Sequence, residues 1–373
     1  MDVQPPDDGP LAGDGANRLL AFLSRTLDQP DVSYAAPPER VMGGNETFIY
    51  GLRLRDAPAA YSAPLILRAY RAGYGRPHQA RLEATVQNSI ASLGYPAARV
   101  LIVAPGTEVL GTPFIVMERL PGSSVLQGIG GPDASGHMRF EQRGALLRST
   151  RLLWQIPRLC AEAQLRLHAL DPQPLLDAIE REGLPPETIT LAGRLEWLRA
   201  YIDDNNLTGL REAHAWLIAQ QREPERLAIC HCDMQPINLL VTDGAITGVV
   251  DWSQVIVANP ALDVAYTKVA MDTVPLNMPA RLQWLARPIA RIVSRSYLRT
   301  YTKERAVRPE ALAYYGVLRA LFALAGPAVR RATGQSEPDV WDNPQGVRNL
   351  VEFVRSATGL EVHMPEDTRT ALD

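Results

Sequence analysis

His231, Cys232, Asp233 and Asn238, followed one short hairpin later by Asp251 and Trp252, are the residues whose types and spacing could do chemistry. The chemistry they suit is transfer of the terminal phosphoryl group of a magnesium-bound nucleoside triphosphate to a hydroxyl. That reaction asks little covalent work of a protein. It needs a carboxylate beside the acceptor hydroxyl and oxygen ligands around a metal that bridges the phosphates. Asp233 fits the first task, as the group that orients the hydroxyl and takes its proton. Asn238, five residues on, offers a neutral carbonyl oxygen beyond a loop that Pro236 stiffens by fixing its own φ and restricting its neighbour. Asn238 and Asp251 are then the expected metal ligands.

The chain must fold back on itself to bring those two together. Leu239–Thr242 and residues 246–250 are apolar runs rich in β-branched side chains, joined by Thr242-Asp243-Gly244-Ala245. That pattern is a strong hairpin signal. His231 is expected to orient the loop by hydrogen bonding rather than to carry protons. Cys230 and Cys232 flank it, but the third cysteine, Cys160, is remote in sequence, so a Cys/His zinc site is not expected. A hydrolase built on His231 with Cys230 or Cys232 would need nucleophile and base in hydrogen-bond contact, which adjacent residues rarely achieve.

The run from His231 through Asn238 to Val250-Asp251-Trp252 resembles the aminoglycoside phosphotransferase family, which includes choline, homoserine and fructosamine kinase-like enzymes and is related in fold to protein kinases. The resemblance extends to residues 110–122, similar to the family's strand and hinge, and to 259–265, similar to the segment after its metal-binding aspartate. It covers most of the chain, from about Val41 to about Ala270. It implies an α+β, two-lobed, protein-kinase-like fold: residues 1–120 as a small β-rich lobe with the nucleotide-phosphate loop, and 121–373 as a larger, mainly helical lobe with the catalytic loop, metal site and acceptor pocket. It also implies ATP and Mg2+ as cofactors and a small-molecule hydroxyl as acceptor.

Upstream, Gly43 and Gly44 lie between predicted strand runs, where missing side chains let backbone N–H groups approach phosphates. Residues 64–70 read as a strand carrying one cation, Arg68. The resembled family has lysine there, contacting the α and β phosphates and paired with a helix glutamate, so the expected partner is Glu83 in a helix over 77–93 that ends at Gly94. Arginine can grip phosphate or carboxylate through two parallel hydrogen bonds, but with different reach. The competing reading is an exposed ion pair of little energetic consequence. Adenine is expected near the backbone of Met117, Glu118 and Arg119, since a flat ring between apolar strands needs few polar contacts.

Composition agrees with an enzyme of this kind. A chain of 373 residues exceeds what one core normally holds, so two or more packing units are expected. A formal charge of -3 without a basic, aromatic-interleaved block gives no footprint for nucleic acid. No stretch reaches the roughly twenty apolar residues of a membrane span. The acidic start is unlike a secretory signal, and 3 cysteines in this length argue against a disulfide framework, so a cytoplasmic location is expected.

Further elements follow from punctuation and period. Helices are predicted over 16–27, 152–170, 191–203, 207–222, 281–302, 309–325 and 346–357, strands over much of 41–70 and around 100–103 and 114–117, a glycine-rich loop over 128–136, and a breaker-rich connection over 326–344. His168 is expected to be a packed, hydrogen-bonded core group. The helical tail is expected to wall the acceptor pocket, and nothing in the sequence selects the acceptor. The alternative in another class is a pseudokinase, a nucleotide-binding module without transfer activity, supported only by Arg68 and by Cys232 where relatives often have glycine.

Overall fold

The computed structural model describes residues 9–41, 47–71, 78–125, 143–221, 223–274, 284–332 and 344–363, with backbone alone over 143–153 and 327–332. Gly43, Gly44 and the 128–136 loop lie outside the described residues. The chain is α+β and divides into two compact units, one of Met1–Pro121 with Asp177–Leu184 and one of Gly122–Leu176 with Pro185–Asp373.

In the first unit, β1 (Ser33–Tyr34) pairs with β4 (Leu54–Arg55), and β2 (Glu39–Arg40), β3 (Thr47–Leu52), β5 (Leu65–Tyr70), β7 (Phe114–Glu118) and β6 (Val100–Ala104) form an antiparallel sheet in the order β2-β3-β5-β7-β6. Period-two alternation gives this sheet two apolar faces. Leu65, Leu67, Ala69, Phe114 and Val116 pack with Leu19 and Leu23 of α1 (Gly15–Leu27). The intervening Ile66, Tyr70, Ile115 and Met117 pack with Ala80 and Ala84 of α2 (Gln79–Ser92). Arg68 falls on the α2 side by the same alternation. A cation is thereby carried into an apolar layer, where it needs a partner.

The second unit is mostly helical: α3 (Arg143–Leu167), α4 (Gln173–Arg181, which runs on into the first unit), α5 (Leu191–Asp204), α6 (Arg211–Ala219), α7 (Ala261–Thr273), α8 (Ala286–Glu304), α9 (Pro309–Ala332) and α10 (Pro344–Thr358). Its largest core joins Leu195 and Leu198 of α5, Leu262 and Val269 of α7, Leu318 and Leu321 of α9, and Leu350 of α10. Strands are few and local. β9 (Ala228–Cys230) pairs with β12 (Ile256–Ala258), and β8 (Ser123–Ser124), β10 (Leu239–Thr242) and β11 (Ala245–Val249) form a sheet in the order β11-β10-β8.

Three differences from the sequence reading have physical reasons. Helix α9 does not stop at Ala325 but continues through Gly326 and Pro327 to Ala332. Leu321, Leu324 and Ala325 are fully buried or nearly so, and packing of that face outweighs one breaker pair. The predicted helix over 207–222 divides into a 3-10 turn at Thr208–Leu210 and α6. Helix α4 forms where the sequence reading assigns no element, with Pro174 in its first turn, where proline is favoured.

The β10–β11 hairpin forms as expected, with Asp243 (φ 52°) and Gly244 (φ 79°) as its two-residue turn. Consecutive positive φ values are the type I′ geometry that matches strand twist. Pairing runs Leu239 to Val249 and Leu240 to Gly248, then shifts so that Thr247 bulges out. Gly122, at φ +100°, enters β8 against this hairpin: a Cβ there would sit 2.5 Å from Thr247 Oγ1 and 2.8 Å from the Val241 carbonyl oxygen. By contrast a Cβ on Gly244 meets nothing closer than Gln155 Oε1 at 4.0 Å. Gly244→Ala therefore pays for backbone strain alone and Gly122→Ala for strain and collision. We expect urea unfolding to show Gly122→Ala less stable by about 1–3 kcal/mol, with Gly244→Ala at the low end of that range. Equal losses would remove the collision from the account.

Candidate functional site

The loop after β9 is fixed before its catalytic candidates are considered. Asp263, on α7 and fully buried, accepts two consecutive backbone donors, His231 N–H at 3.0 Å on Oδ2 and Cys232 N–H at 2.8 Å on Oδ1. His168 Nε2 donates to Asp263 Oδ2 at 3.1 Å, and His168 Nδ1 meets the Tyr301 hydroxyl at 2.7 Å. One helical turn away, Gln164 Nε2 donates to the Asp263 carbonyl and to Thr267 Oγ1, and Thr267 Oγ1 donates to the Met234 carbonyl at 3.1 Å. Tyr297 closes the set by donating to Gln164 Oε1. Each of three helices thus offers a polar pair four residues apart on one face. Burial pushes the Asp263 carboxyl up, but the His168 hydrogen bond and charge, with the loop N–H groups, outweigh it and hold the group below the ordinary aspartate range.

This capture sets the conformation of Cys232, whose φ is +63°. That is the left-handed region where glycine is free of steric cost. The side chain is buried without breaking the loop, and the N–H that Asp263 needs is presented. Burial raises the Cys232 thiol to about 12 and the Cys160 thiol to about 12, so neither is a thiolate nucleophile at neutral pH.

His231 is the orienting group that its position suggested. Its Nε2 donates to the Val250 carbonyl at 3.1 Å, its Nδ1 accepts from Asp233 N–H at 3.2 Å, and its ring meets Trp252 edge-on with centroids 4.6 Å apart. The indole N–H of Trp252 donates to the Val249 carbonyl at 2.9 Å. Loop and hairpin are therefore tied by one imidazole.

Asp233 and Asn238 meet at that junction, and Asp251 follows Val250 beside it. Asn238 Nδ2 donates to Asp233 Oδ2 and to the Asp233 carbonyl, each at 2.9 Å, and the Asn238 carbonyl accepts from Val250 N–H at 3.0 Å. The last bond continues the hairpin ladder and puts Val250 opposite Asn238, so Asp251 is the next residue beyond that pair. Asp251 has φ +65°, and its Oδ1 accepts from Ser253 Oγ at 2.9 Å. With Nδ2 spent on Asp233, the lone pairs of the Asn238 amide reside on Oδ1. One amide oxygen and one carboxylate are a donor set that suits a hard cation retaining waters and phosphate oxygens. Among the described residues no group of three or more His, Cys, Asp or Glu is placed to hold a metal.

Two contacts at Asp233 were not anticipated. Gln235 Nε2 donates to Asp233 Oδ1, and Arg319 Nη2 lies 3.4 Å from the same oxygen. Arg319 is a lone cation within the apolar run 317–324 of α9, and that isolation was the available signal. Asp263 carried the same signal, as the one carboxylate in the first turns of an otherwise apolar α7.

In the first unit, Arg68 Nε lies 3.2 Å from Glu83 Oε1, with side chains 7% and 1% exposed. Glu83 Oε2 accepts from the Tyr70 hydroxyl at 2.8 Å and Oε1 from Gln87 Nε2 at 3.3 Å. The exposed-pair alternative is thereby excluded. At the end of β7, Glu118 N–H donates to the Arg99 carbonyl and Arg119 N–H to the Pro64 carbonyl, each at 3.0 Å. These two donors are engaged within the unit, and Met117 is paired in β7 with Ile66 and Val100.

The sequence profile of the phosphotransferase enzyme family (APH) matches residues 53–288, and the chain belongs to that family. It is 23% identical over 309 residues to the mouse (Mus musculus) protein named acyl-CoA dehydrogenase family member 10, an alignment spanning 79% of this chain but 26% of that protein, so the chain accounts for about a quarter of this relative's length. A thermostable variant of the aminoglycoside phosphotransferase APH(4)-Ia, in a ternary complex with AMP-PNP and hygromycin B, has the same fold with TM-score 0.56 and 17% identity, covering 91% of this chain and 99% of that one. The macrolide 2'-phosphotransferase MphH from Brachybacterium faecium, as apoenzyme, gives TM-score 0.51 and 18% identity over 94% of this chain and 100% of that one. The fold is accordingly that of the two-lobed, protein-kinase-like phosphotransferases.

Two stability predictions follow from the buried charges. Removing one partner of such a pair leaves the other uncompensated, so Glu83→Ala should cost about 3–5 kcal/mol by denaturant unfolding, and a cost below about 1 kcal/mol would mean the pair is solvated. Asp263→Asn should cost a similar amount near neutral pH. A carboxyl whose folded pKa is depressed adds stability above its unfolded pKa, about 3.9, and loses it as pH falls further toward the folded value. The gap between parent and Asp263→Asn should therefore be constant from about pH 5 to 8 and narrow below about pH 4. A gap that widened on acidification would reverse the assigned sign.

Proposed function

We propose that this chain transfers the γ-phosphoryl group of ATP to a hydroxyl of a small molecule. The observation that carries the reading is the arrangement at one loop–hairpin junction: Asn238 Nδ2 on Asp233 Oδ2 at 2.9 Å, with the Asn238 carbonyl bonded at 3.0 Å to the N–H of Val250, the residue before Asp251. In this reading Asp233 orients the acceptor hydroxyl and takes its proton. The Asn238 bond leaves Asp233 lone pairs available, because a carboxylate accepts more hydrogen bonds than these contacts use. Asn238 and Asp251 would hold Mg2+, and magnesium, when bound, supplies neutralisation of charge on the phosphate oxygens. His231 fixes the distance between the two strands of the site and stays out of proton transfer.

On the nucleotide side, Arg68 would contact phosphate oxygens while Glu83, Tyr70 and Gln87 hold its guanidinium in place, with Gly43 and Gly44 as the backbone cradle. A purine beside Met117, Glu118 and Arg119 would use carbonyl oxygens of that run or N–H groups beyond Arg119, because those of Glu118 and Arg119 are already bonded. Support for ATP comes from the AMP-PNP bound in the APH(4)-Ia complex. The lobes we assign are 1–120 and 121–373. Three buried, free cysteines support a reducing, cytoplasmic setting, and no described helix is long and apolar enough to cross a membrane.

The pseudokinase alternative loses its two supports. Arg68 is built into a buried ion pair, and Cys232 adopts the glycine-like backbone the loop requires. The test is a metabolite-extract screen with labelled ATP and magnesium that reads which compound gains phosphate. Asp233→Asn should lower turnover by about 10²–10⁴-fold while leaving ATP affinity nearly unchanged. Parental turnover in that variant would remove Asp233 from the role of base.

A further inference from the structure

Beside Asp233 the second unit presents cations and flat rings rather than carboxylates. Arg319 has a side chain only 14% exposed, with Nη2 3.4 Å from Asp233 Oδ1 and its guanidinium 5.4 Å from the centroid of Tyr266. Arg194 on α5 is 4% exposed, donates from Nη1 to Gln254 Oε1 at 3.2 Å, and lies 5.6 Å from the ring of Phe322, one turn along α9 from Arg319. Trp197 stacks on Phe322 and Tyr201 with centroids 5.4 Å and 5.0 Å away. Two of the three carboxylates on α5 are engaged by arginines: Glu196 pairs with Arg199 at 2.6 Å, and Asp203 with Arg199 and Arg211 at 3.1 Å and 3.0 Å. Burial dominates at Cys232 and raises its thiol, while Arg194 and Arg319 both oppose that rise, so both positive fields reach the catalytic loop.

We propose that Arg319 is a specificity-determining residue for an acceptor that carries a carboxylate a few bonds from the hydroxyl to be phosphorylated. The inference rests on the reading of Asp233 as the base. An acceptor hydroxyl within hydrogen-bond reach of Asp233 has the Arg319 guanidinium as an immediate neighbour, and a carboxylate on the same molecule can take that planar fork in a bidentate pair. An ammonium at that place would face like charge. The apolar rings of Trp197 and Phe322 suit the remaining carbon body of a hydroxy acid better than a second charge. In the reaction the acceptor O–H proton passes to Asp233, the oxygen forms its bond to the γ-phosphorus, and the bond from that phosphorus to the β–γ bridging oxygen breaks, its electron pair leaving with ADP.

The test uses the full chain with ATP and magnesium and matched acceptors: short hydroxy acids, their primary amides, the corresponding amino alcohols, and hydroxyalkyl phosphates. The acid should exceed its amide in kcat/KM by about ten- to hundredfold, with the amino alcohol lower still. In Arg319→Gln the acid-to-amide ratio should collapse towards one, and Arg319→Lys should restore part of it. A residue acting only by supporting Asp233 would lower acid and amide alike and leave the ratio standing, which would overturn the proposal. Thermal shifts with AMP-PNP, magnesium and each acceptor supply a second readout, referenced to each variant's own melting point. Arg319-dependent stabilisation by the acid without any transfer would keep the anion site and sink the phosphotransferase reading. Phosphate delivered preferentially to amides or amino alcohols would do the reverse, and preference for the hydroxyalkyl phosphate would replace the carboxylate with a phosphate monoester.

Discussion

The site depends on one carboxylate that takes no part in the proposed chemistry. Asp263 has no exposure to water, and it binds the N–H groups of His231 and Cys232 as a single two-pronged clamp. Immediately after the second captured amide the chain turns through the positive φ of Cys232. An ionised carboxyl in an apolar interior is costly unless fully bonded, and here the loop amides and His168 provide the bonds. Loop conformation and helix packing are consequently one cooperative event. The loop cannot relax without stranding a buried charge.

From the clamp outward, positions propagate by hydrogen bonds of fixed length rather than by hydrophobic contact. His231 spans from the Asp233 amide to the Val250 carbonyl, so the base and the strand bearing the second proposed metal ligand share a ruler. Asn238 spends its amide nitrogen on Asp233 and its backbone carbonyl on Val250, which leaves its side-chain oxygen as the group with lone pairs to offer. The bulge at Thr247 lies toward the turn, away from this end, and so the irregular part of the hairpin does not disturb the register that matters.

How far the sequence could be read follows from the range of the interactions. The meeting of Asp233 with Asn238 and the hairpin that returns the chain toward Asp251 were legible because these parts lie within one loop and one hairpin, and turn chemistry at Asp243-Gly244 sets the register locally. Residues 64–70 likewise read as a strand carrying Arg68, and the family resemblance, rather than the strand pattern, pointed to Glu83 as its partner. The clamp was not legible, because Asp263 acts on residues 31 and 32 positions away and His168 on Asp263 from 95 away. Yet the spacing held a trace: Gln164 with His168, Asp263 with Thr267 and Tyr297 with Tyr301 are buried polar pairs four apart on helical stretches whose buried positions are mostly apolar. Each pair alone reads as an ordinary helix pair. Only the fold shows that they share one network. The long α9 failed for the opposite reason, since local breakers at Gly326 and Pro327 were weighed without the packing that overrides them.

The same rule separates the two kinds of ion pair in this chain. Arg199 with Glu196 and Asp203, and Arg355 with Glu352, have side chains 40% to 63% exposed, where screening and side-chain entropy leave little net stabilisation. Arg68 with Glu83 and His168 with Asp263 are almost fully buried, and each carboxylate is saturated by further donors. Burying these charges carries a desolvation cost, and an apolar pair of the same shape would serve a core at least as well. What the apolar pair could not do is present a guanidinium at a defined height above a sheet, or pin two consecutive amides of a loop. The placement of charge in these two cores is therefore accounted for by what they position, and stability is the constraint they satisfy in order to do it.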